Sequence, residues 1–236
     1  DSNKAAATMA AKPAAVVAAP QILPESGSTA GQIQATSEIT SDIDTKLYHI
    51  VFTNRGAAIK SWVLKGYRDN TGKPLELIDP AAADVGLPFT IEVTGQKLSV
   101  DPNTVLYQPK LSADGTEIDY QYSNGKTNID KSIRFGTDSF LSNVRSVVLE
   151  NNVPVPHFLV WRGGFGDLKV RNAAATEQTV RYDTSAGKLI KKSAKDAKNG
   201  PITDTGNYTF AGLEDNFFAA VAIPPDASSL EIRTYN

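Results

Sequence analysis

Any chemistry in this chain would have to begin at two histidines, His49 and His157, because the sequence contains no cysteine. Disulfides and thiolate zinc sites are therefore excluded. Each histidine lies in a strand-like apolar run, the setting of a packed or hydrogen-bonded imidazole. They do not stand at metal-ligand spacing, and no HExxH motif is present. The GxSxG turn of a serine nucleophile is absent, as are phosphate-cradling Walker and GxGxxG loops. The nearest glycine-rich piece, Arg162-Gly163-Gly164-Phe165-Gly166-Asp167, follows a strand but matches no phosphate loop. It reads as a tight connection, with glycine supplying backbone freedom. The alternative is a loop beside a ligand groove, for which Trp161, Phe165 and His157 are the candidates. Glu214 and Asp215 read as a cap for the segment that follows them. Trp62, Tyr67 and Trp161 could hold a sugar or peptide, although core packing is the commoner fate of such rings. No catalytic residue, metal ligand or cofactor site is assigned.

The elements that would position these residues are strands. The 236-residue chain is 41% hydrophobic, enough for one large all-β domain or two small ones. A formal net charge of −2 argues against a nucleic-acid footprint and supplies no polybasic membrane patch. Apolar runs fall far short of the roughly 20 residues that span a bilayer. Asp1 is not a Met, which suggests a fragment or processed form whose front carried a signal or membrane segment. Residues 1–37 are rich in Ala, Pro, Ser, Thr and Gly, have no aromatic residue, and read as a flexible tether. A helix in Ala5–Val17 is the rival, limited by Pro13 and Pro20. Residues 38–236 form the domain proper.

From residue 38 short strand-like runs recur between turn residues: 47–53, 59–64, 75–78, 89–93, 98–100, 105–107, 116–122, 127–135, 140–149, 157–161, 168–170, 178–182, 189–191, 208–210, 217–223 and 230–235. This spacing marks a sandwich or barrel. The clearest hairpin turns at Asn124-Gly125. Ile118, Tyr120 and Tyr122 alternate with polar residues on its first arm, as do Ile129, Ile133 and Phe135 on its second. A two-residue turn there pairs Tyr122 with Thr127 and Tyr120 with Ile129, placing both apolar sets on one face. Lys131 is the polar exception on that face. Phe140–Leu149 reads as a more interior strand. Phe217–Ile223 reads as a buried strand closed by Pro224-Pro225, with a helix as its rival. The lysine-rich stretch Lys188–Gly200 reads as a solvated loop or strand edge.

The run Leu47–Leu64, with Asn54-Arg55-Gly56 at its turn, then Tyr67 and Gly72–Ile78, resembles the start of the periplasmic domain of bacterial YidC membrane protein insertases. Trp161–Gly166 is similar to that family's W-G-P-G-(L/I)-G loop, with Arg162 and Gly163 in place of Gly and Pro. Gly212–Ala220 is similar to its G-x-x-D-x-Y-F segment, with Phe217 where Tyr is common.

The resemblance implies an all-β fold with little helix: a β-supersandwich of two large antiparallel sheets, galactose mutarotase-like. It implies a domain between the first and second transmembrane helices, in the periplasm of a diderm bacterium, anchored to the inner membrane. Asn54, Arg55, Gly56, Tyr67, Gly164, Gly166, Asp215 and Phe218 become signature residues with structural roles. The implied partners are the Sec accessory subunits SecD and SecF and nascent membrane proteins, with the fragment itself non-catalytic and monomeric. The shared fold leaves a carbohydrate-binding or mutarotase-like module as the alternative, although fold does not transmit function.

Overall fold

The computed structural model describes residues 31–79, 82–166, 177–225 and 229–236. Most of the expected tether, its rival helix and the run 168–170 lie outside them. The described chain is an all-β sandwich of antiparallel sheets.

The first sheet orders β1 (Thr40–Asp44), β2 (Tyr48–Thr53), β3 (Ala58–Arg68) and β4 (Pro74–Glu76) side by side. In the second, β10 (Val153–Pro154), β9 (Ser142–Glu150), β8 (Thr127–Phe135), β7 (Glu117–Ser123) and β6 (Gln108–Leu111) follow one another. These two sheets pack face to face. The alternation of β2 puts Tyr48, Ile50 and Phe52 inward, and that of β8 does the same for Ile129, Ile133 and Phe135. Their rings meet across the core, Tyr48 and Trp62 lying 5.9 and 5.6 Å from Phe135, and Phe52 6.4 Å from Tyr120.

A two-stranded sheet pairs β5 (Thr90–Val93) with β11 (His157–Val160). A last sheet sets β13 (Lys188–Ser193), β12 (Gln178–Asp183), β14 (Ile202–Glu214) and β15 (Ala219–Ala222) in order, and β16 (Ser229–Thr234) pairs with the first half of β14. Among the described residues backbone pairing is present from Ile33, which exchanges hydrogen bonds with Ser123, ahead of the expected boundary at residue 38.

Several sequence expectations are corrected. The hairpin arms face as expected, but Tyr122 pairs with Ile129 and Tyr120 with Lys131, a slip of two residues. The cause is the Asn124 side chain. Its Oδ1 accepts from the amides of Lys126 and Thr127 while its own amide donates to Thr127, so the turn centres on Gly125-Lys126. A slip of two preserves the faces, as a slip of one would not. Residues 98–100 and 105–107 are not strands; the backbone of 105–107 goes to a single bridge and loop bonds, such as Arg55 to Leu106 and Tyr107 to Asn54. Phe140 and Leu141 precede β9 and are exposed; only Val148 of that strand is buried. The run 217–223 gives a four-residue strand that is mostly exposed, because β14 is its only partner among the described residues. The lysine-rich stretch, by contrast, is a strand edge as expected: β13 ends its sheet, and a 3-10 helix, Ala194–Ala197, follows it.

Candidate functional site

The signature residues occupy two places. The first is the β2–β3 turn. Asn54 is buried, and its side chain is fully used: Oδ1 accepts from Ile39 at 2.8 Å, and Nδ2 donates to Ser37 and Tyr107 carbonyls at 3.1 and 3.0 Å. It thus fastens the chain before β1 and the approach to β6 onto the turn. Arg55 reaches outward, Nε to Glu38 Oε2 at 2.9 Å and Nη1 to the Thr104 carbonyl at 3.0 Å. Gly56 has φ +69 and lies against the Asn103 backbone. The side chains of Asn54 and Arg55 are thus both engaged in hydrogen bonds within the fold.

Charge at the turn has a consequence for stability. Hydrogen bonds from Arg55 and then Thr53 hold Glu38 below its ordinary value. Hydrogen bonds from Ser112 and Thr116 lower Asp114 to about 2, and Lys65 lowers Asp44. Each carboxyl is more acidic folded than unfolded, so its contribution is complete above the unfolded value, roughly pH 4, and is lost as pH falls through the folded one. These three carboxyls should therefore add no pH dependence to stability from pH 7 to 5 and a decline between pH 4 and 2. Arg55→Met should flatten part of that decline in a pH series of urea melts.

The second place is an aromatic junction. Trp161 and Phe165 are in ring contact at 5.7 Å, and Phe165 meets Phe218 at 6.3 Å. Phe218 in turn contacts Tyr67 at 5.6 Å, and Trp161 stacks on Trp62 at 6.3 Å. The Gly164 carbonyl accepts from the Trp161 indole at 3.0 Å. Gly166 donates to Leu77 and sits where a Cβ would come within 2.6 Å of the Glu76 and Ile78 carbonyls, so only glycine lets the loop lie against that segment. Asp215 closes the β14–β15 turn, its Oδ1 accepting from the amides of Phe217 and Phe218 at 2.6 and 2.7 Å. Glu177 accepts from the Phe165 amide; burial first, then the nearby Asp215 and Asp79, push its pKa upward. Tyr67, Trp161, Gly164, Phe165, Gly166, Asp215 and Phe218 thus converge.

His157 stands apart from them. It lies on β11 with Nε2 on Ser146 Oγ at 2.7 Å and Nδ1 on the Val155 carbonyl at 2.9 Å. His49 pairs with Asp44 on the neighbouring strand. Phe165 is fully buried, so within the junction it packs and cannot line an open groove.

A polar cluster not anticipated from the sequence lies beside the junction. Glu92 on β5 accepts from Arg162 at 2.6 Å, Arg233 at 3.0 Å and the Tyr235 hydroxyl at 2.7 Å, and Arg162 stacks 4.3 Å over the Tyr235 ring. These residues come from three distant stretches, and no local pattern joins them. Arg162, where the family pattern has Gly, ties the loop to the last strand. A small cavity lined by Thr90, Glu92, Asn103 and Arg162 opens there. Its Asn103 is engaged at both ends by the Ile91 backbone at 2.8 Å. Among the described residues no cluster of three or more metal-ligating side chains occurs, and no helix is long and apolar enough to cross a membrane.

The family model of the YidC periplasmic domain matches residues 40–236. This chain belongs to the YidC periplasmic domain family. The membrane protein insertase YidC of Syntrophus aciditrophicus (strain SB) is 26% identical over 258 residues, covering 95% of this chain and 45% of the relative. That of Phocaeicola vulgatus is 25% identical, over 82% of this chain and 31% of the relative, and that of Chlorobaculum tepidum 25%, over 90% and 38%. The chain spans less than half the length of these curated relatives. The matched span contains both signature places, from the Asn54 turn to the Asp215 turn.

Proposed function

We propose that this domain is the non-catalytic periplasmic part of an inner-membrane protein insertase of a diderm bacterium. In that setting it works as an interaction module, contacting the Sec accessory subunits SecD and SecF and extended segments of nascent membrane proteins.

The observation that carries the reading is the edge strand β15. Sheet edges are ordinarily protected by charge or proline. Here β1 has Asp42 and Asp44, β4 has Pro74, β6 has Pro109 and Lys110, and β10 has Pro154. Lysines 188, 191 and 192 protect β13, and Glu231 and Arg233 lie on β16. Strand β15, Ala-Ala-Val-Ala, has neither charge nor proline. Phe217, Val221 and Ile223, on one parity, are 54, 43 and 68% exposed. Such an edge, without a second partner strand among the described residues, offers backbone groups and an apolar stripe, the two requirements for adding an extended uncharged peptide as a further strand.

The test is capture of SecD and SecF periplasmic segments, and of uncharged β-prone peptides, by the immobilised chain. Val221→Lys is expected to weaken peptide capture about tenfold, since a charge on the edge blocks strand addition, and to leave the melting temperature nearly unchanged. A wild-type chain that captures neither class of partner sinks the interaction reading and leaves a spacer. The carbohydrate-enzyme alternative would need a His and a Glu converging in a cleft, and each histidine here is bonded to other groups.

A further inference from the structure

Lys131 lies in the middle of β8, on its core face, and is 1% exposed. Its Nζ donates to three backbone carbonyls: Gly56 at 3.2 Å, Ala57 at 3.0 Å and Phe89 at 2.6 Å. An ammonium group has three protons, and each finds one acceptor. All of these hydrogen-bond partners are carbonyls.

The three acceptors share a property. Gly56, Ala57 and Phe89 all have left-handed backbones, with φ of 69, 49 and 67°. For Ala and Phe this conformation is unfavourable, and for a bulky residue it needs an external cause. The carbonyls also come from different sheets. Gly56 and Ala57 belong to the signature turn between β2 and β3, Phe89 leads into β5, and the donor rises from β8. A single nitrogen therefore joins the two face-to-face sheets to the β5–β11 pair.

We propose that Lys131 is an internal cation: its ammonium occupies a three-carbonyl site made by Gly56, Ala57 and Phe89, holds those residues left-handed, and pins three sheets at one point. The rival account is that the turns set their own conformation and the lysine is merely accommodated. Burial lowers the pKa of Lys131 to about 7. The carbonyls act the other way, because the neutral amine has only two protons for three acceptors and turns a lone pair toward the third. The Tyr107 ring, 6.0 Å from Nζ, also favours the charged form.

The test has three arms. Lys131→Met keeps the unbranched stem and removes the ammonium; it should lower the melting temperature by about 10 °C or more, a large shift for a chain of this size, and move the backbone NMR shifts of Ala57 and Phe89. Lys131→Ala leaves a cavity at the carbonyl site. n-Propylammonium, which restores the missing atoms, should recover at least half of the lost melting temperature, and 1-propanol, of the same size without charge, should not. In the unmutated chain at pH 6.5, Nζ should give an ammonium resonance with slowly exchanging protons. The proposal is overturned if Lys131→Met melts like the parent with Ala57 and Phe89 shifts unchanged, or if 1-propanol rescues as well as n-propylammonium. A neutral Nζ in the unmutated chain overturns it too, and that spectrum decides the matter should Lys131→Met fail to fold.

Discussion

Gly56→Val is expected to abolish recovery of folded protein, with near-ultraviolet circular dichroism and a cooperative melt both lost. Two effects combine. The φ of +69° is hostile to a β-branched side chain, at a cost of about 1–2 kcal/mol for the backbone alone. The larger effect is steric: a Cβ at Gly56 would stand 2.7 Å from the Asn103 carbonyl oxygen and 3.1 Å from two further backbone atoms of that residue. Asn103 cannot withdraw easily, because its amide holds both backbone groups of Ile91 at 2.8 Å. Nor can Gly56, whose amide donates to Val105 and whose carbonyl receives Lys131. Gly95→Val is the control. Gly95 also has positive φ, +80, but open space around its Cβ position, so it should show the backbone penalty alone and remain folded. A Gly56→Val chain that melts within a few degrees of Gly95→Val would show that the turn has room the geometry denies.

How much of this could be read from the sequence depends on the range of the interaction concerned. The faces of β7 and β8 were legible, because alternation is local and the pleat enforces it. Their register was legible only to within two residues, because the deciding group is the Asn124 side chain, and its choice of Lys126 and Thr127 amides leaves no trace in the apolar pattern. Lys131 stood out as a polar residue on an apolar face, which signals a buried partner without naming it; the carbonyls are more than 40 positions away. The exposure of β15 was missed because Ala, Val, Phe and Ile ordinarily report burial, and only the sheet order shows that no described strand lies beyond it. At the candidate site, the motifs around Tyr67, Trp161 and Asp215 were visible, but not their convergence on Phe165 and Phe218. His157 was grouped with Trp161 by proximity in sequence. Alternation along β11 and the bond to Ser146 carry it elsewhere. The Glu92 cluster had no local signal at all, since its arginines and tyrosine lie about 70 and 140 residues from the carboxylate they surround.

Phe165→Ala should cost about 3–5 kcal/mol, the usual range for emptying a fully buried aromatic position. At roughly 2–4 °C per kcal/mol for a chain of this size, the melting temperature should fall by about 6–20 °C. The upper part of the range is favoured by what the ring supports. Phe165 touches Trp161 and Phe218, its amide is held by Glu177, and its backbone bridges Ile78. Phe218 is the residue on which the β14–β15 turn rests against the body of the domain, its other ring contact being the exposed Tyr67. Removing Phe165 therefore leaves the turn with one exposed ring contact and its own hydrogen bonds, two to the Asp215 carboxylate and one from the Asp215 amide to the Phe218 carbonyl. Amide hydrogen exchange across Ala219–Ala222 should accelerate more than exchange in β8, which the junction meets only at second hand, through Trp62 and Phe135. Phe217→Ala, on the exposed side of the same turn, should change stability by less than about 0.5 kcal/mol. If β15 is the surface that receives extended chains, Phe165→Ala should also weaken peptide capture below the melting temperature, although Phe165 itself is inaccessible to any peptide. A Phe165→Ala chain that loses stability but keeps slow exchange in Ala219–Ala222 and full capture would confine the junction to core packing and separate it from the edge it appears beside.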